Sequence, residues 1–378
     1  MRDGEAIVQA RALTVVQLVP ALEAGGAERS TLEIARALVA DGHRSIVVSS
    51  GGRLVDRLLA EGSEHVTLPI GRKSLASLAQ VPKLRALFRR ERADIVHARS
   101  RMPAWLGWLA LRGLSPRPRF VTTAHGLNSP GRYSAIMARG ERVICVSNTV
   151  RDYQLRHYPR TNPSNLVVIP RGVDPEEFPY GYQPDGSWRE WFFAEFAPLA
   201  GAPLLTLPGR GTRLKGHADA IELVAALKAR GIDTRLLLLG ARQAEREAYV
   251  AELEQLAASR GVADRVVISA QRDDARDIYA ISTLILQLSN KPESFGRTVI
   301  EALSLCRPVL GYDYGGVGEL LTDLYPAGRV PPLDRERLVE RAAELLRYAP
   351  AIGPLQSYRL ADMQAATLAL YRELVRHD

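Results

Sequence analysis

Only two cysteines, Cys145 and Cys306, occur in 378 residues. That excludes a disulfide framework, and both read as buried thiols of a reducing compartment. No apolar run approaches the roughly 20 residues of a membrane-spanning helix. The opening Met1-Arg-Asp-Gly-Glu lacks the apolar core of a signal peptide, so the chain reads as cytoplasmic. Aromatics make up 6% of the chain and form no basic-aromatic stacking motif, which weighs against a nucleic-acid partner. No His/Cys/Asp/Glu cluster has metal-site spacing, and neither repeats nor low-complexity tracts occur. What remains, 46% hydrophobic and 24% charged residues, is the composition of a globular protein long enough for two cores.

The formal charge of +8 is unevenly spread. Residues 1–175 hold 26 Lys+Arg against 14 Asp+Glu, and the remainder 24 against 28. Such asymmetry bears on partners rather than on fold. Lys83, Arg85, Arg89, Arg90, Arg99 and Arg101 crowd one stretch of the basic half. They read either as a solvated face or as a surface for an anionic acceptor or an anionic membrane.

Short β-rich runs alternate with helical segments. The runs cover 13–20, 45–50, 65–70, 94–99, 119–125, 142–148 and 165–171, then 203–209, 234–240, 265–270, 283–289 and 308–313. Continuous apolar runs such as Leu236-Leu-Leu-Leu239 suit strands covered on both faces, as in a parallel sheet. Helices are expected over Ala27–Ala40, Ala218–Arg230 and Arg242–Arg260. Two successive βα series give two doubly wound, Rossmann-like α/β domains. The boundary falls within residues 173–201, where Pro175, Pro179, Gly181, Pro184 and Gly186 precede an aromatic cluster, Trp188, Trp191, Phe192, Phe193 and Phe196. That cluster reads as core opening the second domain. The divisions are a flexible leader over 1–12, a first domain over 13–175, a second over 176–357 and a terminal helical segment over 358–378.

Three glycine-marked strand ends carry candidate anion-binding chemistry. Ala24-Gly-Gly-Ala-Glu-Arg29 precedes a helix whose N-terminal N–H groups suit phosphate, although a Gly-Gly pair also makes tight turns without ligands. Pro208-Gly-Arg-Gly-Thr-Arg-Leu-Lys-Gly-His217 puts Arg210 and Lys215 just beyond a strand's carboxyl end, where α/β sheets bind ligands. It matches neither a Walker A loop nor the dinucleotide glycine pattern. Gly315-Gly-Val-Gly-Glu319 follows a further strand and offers backbone amides to an anion. Between the last two lies Lys291-Pro-Glu-Ser-Phe-Gly-Arg-Thr-Val-Ile-Glu301. With Glu301 two turns into a helix, its two acids stand on the order of 12 Å apart. That is too far to share a proton or to act as a glycosidase pair, and it suits two regions of one hydroxyl-rich ligand.

In their order and spacing, the motifs Gly-Gly-x-Glu, Arg-x4-Lys-Gly, Glu-x7-Glu and Gly-Gly-x-x-Glu resemble the retaining glycosyltransferases of family four, which have the GT-B fold. Val168-Ile-Pro-Arg-Gly-Val-Asp174 is similar to that family's Pro-Asn-Gly-Val-Asp turn, and Tyr358–Arg376 to its terminal helix. The resemblance implies two Rossmann-like domains facing a cleft, with the terminal helix crossing back to the first domain. It places Gly25 and Gly26 against donor phosphates, and Arg210 and Lys215 on the diphosphate. Glu293, with Phe295 and Gly296 beside it, would hold the transferred sugar, and Glu301 the ribose. Gly315 and Gly316 complete the donor set, and His125 lies near the anomeric centre. Arg210, Lys215, Glu293 and His125 are the catalytic candidates. No cofactor and no metal ion are expected, the donor being a substrate.

The segments around Lys291 and Gly311 look like those of lipopolysaccharide core enzymes. The implied function is hexosyl or related transfer to an anionic glycolipid or saccharide, with electrostatic contact at the inner-membrane surface. A nucleotide-sugar epimerase and a non-catalytic nucleotide-sugar or membrane-binding module are the alternatives. Two positions depart from the pattern: Arg171 replaces the usual asparagine, and Cys306 stands where the family carries glycine.

Overall fold

The computed structural model describes residues 11–23 and 25–376. The expected leader over 1–12 therefore lies outside the described residues except for its last two positions. The chain divides into two compact units. The first comprises the described residues up to 146, then 150–169, and those from 364 onward; the second comprises 147–149 and 170–363.

The strands of the first unit are β1 Thr14–Leu18, β2 Arg44–Ser49, β3 Glu64–Thr67, β4 Ile95–Ala98, β5 Arg119–Ala124, β6 Arg142–Cys145 and β7 Leu166–Val168. They form one sheet in the order β3-β2-β1-β4-β5-β6-β7, with every pair parallel. The second unit holds β8 Leu204–Pro208, β9 Arg235–Leu239, β10 Val266–Ile268, β11 Leu284–Gln287, β12 Val309–Tyr312 and β13 Arg329–Val330. Their order is β10-β9-β8-β11-β12-β13, again wholly parallel. In both sheets the order reverses beside the first strand, which marks a doubly wound fold. The expected α/β class holds. All seven strands expected in the first half are present, and the second half adds β13, two residues long and without a periodic signal.

The helices are α1 Gly26–Ala40, α2 Val55–Ala60, α3 Gln80–Arg90, α4 Arg101–Leu111, α5 Asn148–His157, α6 Gly186–Glu195 and α7 His217–Ala229. They continue as α8 Glu247–Ser259, α9 Ala275–Ile281, α10 Arg297–Ser304, α11 Gly315–Leu324, α12 Arg335–Arg347 and α13 Leu360–Arg376. No described helix is long and apolar enough to cross a membrane. Helix α8 starts five residues later than expected, because the chain first makes a 3-10 turn over Ala244–Arg246.

Sequence pattern explains the packing. The Leu236–Leu239 run lies in β9, between β8 and β10, and is buried on both faces. Burying each such side chain contributes about 1.5–3 kcal/mol. In the first unit Val16, Leu18, Val96 and Phe120 of the central strands pack with Phe88 of α3 and Leu106 of α4 in one core. Asp185 caps α6, accepting from Ser187 N at 2.8 Å. Phe192 of that helix is fully buried, with Trp188 and Phe196 each 5.1 Å away between ring centroids. Of the expected aromatic core only Phe192 is buried, while Trp188, Phe193 and Phe196 are partly exposed around it. Trp191 is half exposed, with the Arg272 guanidinium 5.1 Å above its ring.

From residue 364 on, α13 belongs to the first unit. Its Tyr371 is fully buried, with the hydroxyl 2.5 Å from His97 Nδ1, and Arg142 pairs with Glu373 at 2.7 Å. Burial holds the His97 imidazole well below its usual range, with the nearby Arg99 charge adding to the effect. Cys145 is buried and its thiol is pushed up to about 12 by desolvation. Cys306, expected to be buried too, is partly exposed.

Candidate active site

The candidate groups of the second unit stand at the carboxyl ends of β8, β11 and β12. Beyond β8 the chain passes Gly209 and the exposed Arg210, then makes a 3-10 turn over Arg213–Lys215 before α7 begins. Gly216 joins turn to helix with φ of +76°. A Cβ there would lie 2.0 Å from the Leu288 carbonyl oxygen, so glycine is required both by backbone conformation and by space. This tight join brings the Lys215 Nζ to 2.7 Å from Glu293 Oε1. Two groups 78 residues apart in sequence thus form one ion pair, with side chains about a quarter exposed. Ser289, two residues past β11, donates its hydroxyl to the same Glu293 oxygen.

The Gly315-Gly316 pair does something other than offer free amides. Gly316 N donates to Glu293 O at 2.8 Å, and Gly315 forms an isolated β-bridge with Glu293. A Cβ on Gly316 would stand 2.5 Å from the Phe295 Cα and carbonyl oxygen. The glycines therefore let α11 approach the backbone that carries Glu293, which fixes that carboxylate's height above the sheet. Phe295 is buried, with its ring 6.2 Å from that of Tyr358, so it packs into the unit. Gly296 caps α10, and Glu301 sits one turn into that helix rather than two. Glu301 is buried, with Arg297 Nε 3.3 Å away.

Glu319, the acid of the Gly-Gly-x-x-Glu motif, accepts from the backbone N–H of Asn148 at 3.0 Å and of Thr149 at 2.5 Å, and from the Thr149 hydroxyl. The segment Ser147–Thr149 thereby belongs to the second unit, and Ser147 also donates to Ser294 O at 2.6 Å.

In the first unit Gly25 is the N-cap of α1 and Gly26 its first residue, with no side-chain cap. His125 directly follows β5, partly exposed. The basic cluster separates by role. Lys83, Arg89 and Arg90 are exposed, and Arg90 pairs with Glu91 at 2.5 Å. Arg85 donates to the carbonyls of Leu109 and Ala110, at the end of α4. Arg99 is buried, bonded to Gln17 at 2.8 Å and Ser30 at 3.3 Å, so it offers no cation to an external surface. Arg101 reaches Ser134 at 3.3 Å and lies 5.2 Å from the Tyr133 ring centroid.

Sequence reasoning missed Ser289, Arg297 and the task of Glu319. For Arg297 the signal is the i,i+4 spacing to Glu301. For the other two the partners lie across the fold. The departures are also clearer: Cys306 has φ of +64°, so this position adopts the left-handed conformation that glycine favours, and Arg171 is buried.

Comparison with known proteins supplies the family. Residues 24–177 match the family described as Glycosyltransferase Family 4, and residues 190–351 match Glycosyl transferases group 1. The chain is a GT-B glycosyltransferase. It is 27% identical over 316 residues to the D-inositol 3-phosphate glycosyltransferase of Rhodococcus opacus, covering 71% of this chain and 68% of that enzyme. With another curated relative the match spans only 46% of the relative's length. A glycosyltransferase crystal structure from Rickettsia africae superposes with a TM-score of 0.85 at 27% identity, covering 97% of this chain and all of that one. The Anabaena protein HepE, solved with UDP-glucose, superposes at 0.73 with 20% identity, covering 95% and 100%.

Proposed function

We propose that this glycosyltransferase moves a sugar, with retention, from a nucleotide-sugar donor to an anionic glycolipid or saccharide, in lipopolysaccharide core or related cell-envelope glycan synthesis. The observation that carries the reading is the 2.7 Å contact of Lys215 with Glu293, which sets a cation for phosphate beside an acid for sugar hydroxyls. The UDP-glucose bound to HepE and the inositol phosphate in the name of the Rhodococcus enzyme support the donor class and an anionic acceptor.

In this reading Arg210 and Lys215 take the diphosphate, and Gly315 and Gly316 act by fixing the backbone that carries Glu293. Glu293 holds hydroxyls of the transferred sugar, and hydrogen bonds to a carboxylate contribute about 1.5–3 kcal/mol each. Glu301 holds the ribose, and the family pattern assigns Gly25 and Gly26 to the phosphates and His125 to the anomeric centre. The anomeric carbon–oxygen bond to phosphate breaks while a bond to the acceptor oxygen forms on the same face. The departing phosphate takes the acceptor's proton, so no protein base is needed, and the protein's cations rather than a resident metal stabilise the leaving group. Peripheral contact with an anionic membrane through Lys83, Arg89 and Arg90 would bring a lipid-linked acceptor close, at a cytoplasmic surface.

Transfer and donor-hydrolysis assays of Lys215→Ala and Glu293→Ala test the assignment, and both variants are expected to lose at least about 100-fold in turnover. Near wild-type turnover in both would remove the site. An epimerised donor formed without acceptor would replace transfer by epimerisation.

A further inference from the structure

Ser289 lies two residues past β11 and is buried. Its neighbours in sequence are tied to the loop that carries Lys215. The Leu288 carbonyl oxygen packs so closely on Gly216 that an added Cβ there would lie 2.0 Å away. Asn290 donates its backbone N–H to Leu214 O at 2.9 Å and its side-chain amide to Arg213 O at 3.1 Å. Ser289 is thus fixed relative to the backbone of Lys215, and the two side chains meet at one atom. The Lys215 Nζ lies 2.7 Å from Glu293 Oε1, and the Ser289 hydroxyl donates to the same oxygen.

This leaves the Glu293 carboxylate asymmetric. Each of its oxygens has room for about two hydrogen bonds. Both donors nevertheless fall on Oε1, and Oε2 meets no donor among the described residues. The side chain is about a quarter exposed, so the carboxylate is open to a ligand. The backbone of Glu293 is held separately, by the 2.8 Å bond from Gly316 N to its carbonyl oxygen. What Ser289 fixes is therefore the direction of the carboxylate. A long side chain left unfixed would have to be ordered at the moment of binding, which weakens the complex. Of the two ties on Oε1, Lys215 is a cation, and a phosphate beside it would draw it from Glu293 by charge. The Ser289 hydroxyl is neutral and stays.

We propose that Ser289 is a positioning residue for the sugar half of the donor. It holds Glu293 Oε1 when Lys215 engages the diphosphate, and so presents Oε2 to the sugar hydroxyls. The inference rests on the reading of Lys215 as the phosphate's cation and Glu293 as the sugar's acid. It assigns Ser289 no contact with the donor.

The test is calorimetric titration of the full chain at pH 7.5 with UDP, GDP and ADP, and with the glucose and mannose conjugates of each. The proteins are wild type, Lys215→Ala, Glu293→Ala, Ser289→Ala and the Ser289→Ala/Glu293→Ala double variant, with thermal unfolding alongside. Ser289→Ala should bind the best diphosphate within about twofold of wild type and the matching nucleotide sugar about tenfold more weakly. Added to Glu293→Ala, it should weaken the nucleotide sugar less than about twofold further, because a hydroxyl that acts through Glu293 has nothing left to position. Equal weakening of both ligands by Ser289→Ala, no weakening of either, or a full further loss in the double variant would overturn the proposal. In those cases Lys215→Ala still loses the diphosphate and Glu293→Ala still weakens the nucleotide sugar. Wild-type diphosphate affinity in Lys215→Ala, wild-type nucleotide-sugar affinity in Glu293→Ala, or no binding of any of these ligands by wild type would instead overturn the donor reading, and the positioning role with it. Should Ser289→Ala not fold, Ser289→Cys keeps the shape with a weaker donor. It is expected to weaken the nucleotide sugar alone, by about threefold, and unchanged affinity there counts against the proposal.

Discussion

Gly316→Ala separates the buttressing account of the Gly-Gly motif from a simple amide-donor account. The added Cβ would lie 2.5 Å from two Phe295 backbone atoms and 2.7 Å from the Phe295 nitrogen, closer than real Cβ contacts allow. All three are main-chain atoms, so no side chain can rotate aside. Relief requires α11 and the Glu293–Phe295 backbone to part by roughly 0.5–1 Å, and overpacking of this kind costs about 1–3 kcal/mol. For a unit near 200 residues that corresponds to a Tm lower by about 3–10 °C. The same movement lengthens the 2.8 Å bond from Gly316 N to Glu293 O and shifts the carboxylate. A displacement of about 1 Å can lower turnover on the order of 100-fold. Thermal unfolding and turnover at saturating donor would be read beside Gly186→Ala, where an added Cβ meets nothing within 4 Å. If Gly316→Ala matches that control in both, the buttress is not what the motif provides.

Three further outcomes are expected. Cys306→Gly should equal or exceed wild type by up to about 1 kcal/mol in urea unfolding, since it relieves a left-handed residue, whereas Cys306→Val should lose about 2 kcal/mol; equal stability of the two would refute the backbone argument. His217 titrates near 6.5 when unfolded and about 4 when folded, so the unfolded chain binds the extra proton between those values and stability falls as pH drops. Its share of that loss is about 2 kcal/mol by pH 5, and a plot of Tm against pH should be flatter for His217→Phe than for wild type. Anionic vesicles should retain the protein at low salt and release it at high salt, with weaker retention for Lys83→Glu/Arg89→Glu; failure to bind at any salt concentration would remove the membrane contact.

The sheets were the most legible part of this chain. Continuous apolar runs such as Leu236–Leu239 have one economical home, the covered interior of a parallel sheet, and they lie there. The strand β13 was invisible because two residues carry no period. Around the candidate site, the residue types were legible but their neighbours were not. Nothing in a sequence pairs Lys215 with Glu293 until β8 and β11 are laid side by side, and nothing in it pairs Glu319 with Thr149, 170 residues away. The basic run misled in one respect, since charge counting cannot tell the exposed Lys83 from the buried Arg99, whose guanidinium serves Gln17 and Ser30. Cys306 shows the converse, a departure from the family pattern that becomes interpretable once its φ is known.

The central claim is that the second unit takes a nucleotide sugar through Lys215 and Glu293. Thermal unfolding of the intact chain across UDP-, GDP- and ADP-sugars tests it most directly, because a ligand bound only by the folded state raises stability by about 2.7 kcal/mol at a hundred times its Kd. One base class should raise Tm in a concentration-dependent way, with the shift abolished in Lys215→Ala and reduced in Glu293→Ala. No shift from any donor at millimolar concentration, or an undiminished shift in Lys215→Ala, would contradict the account.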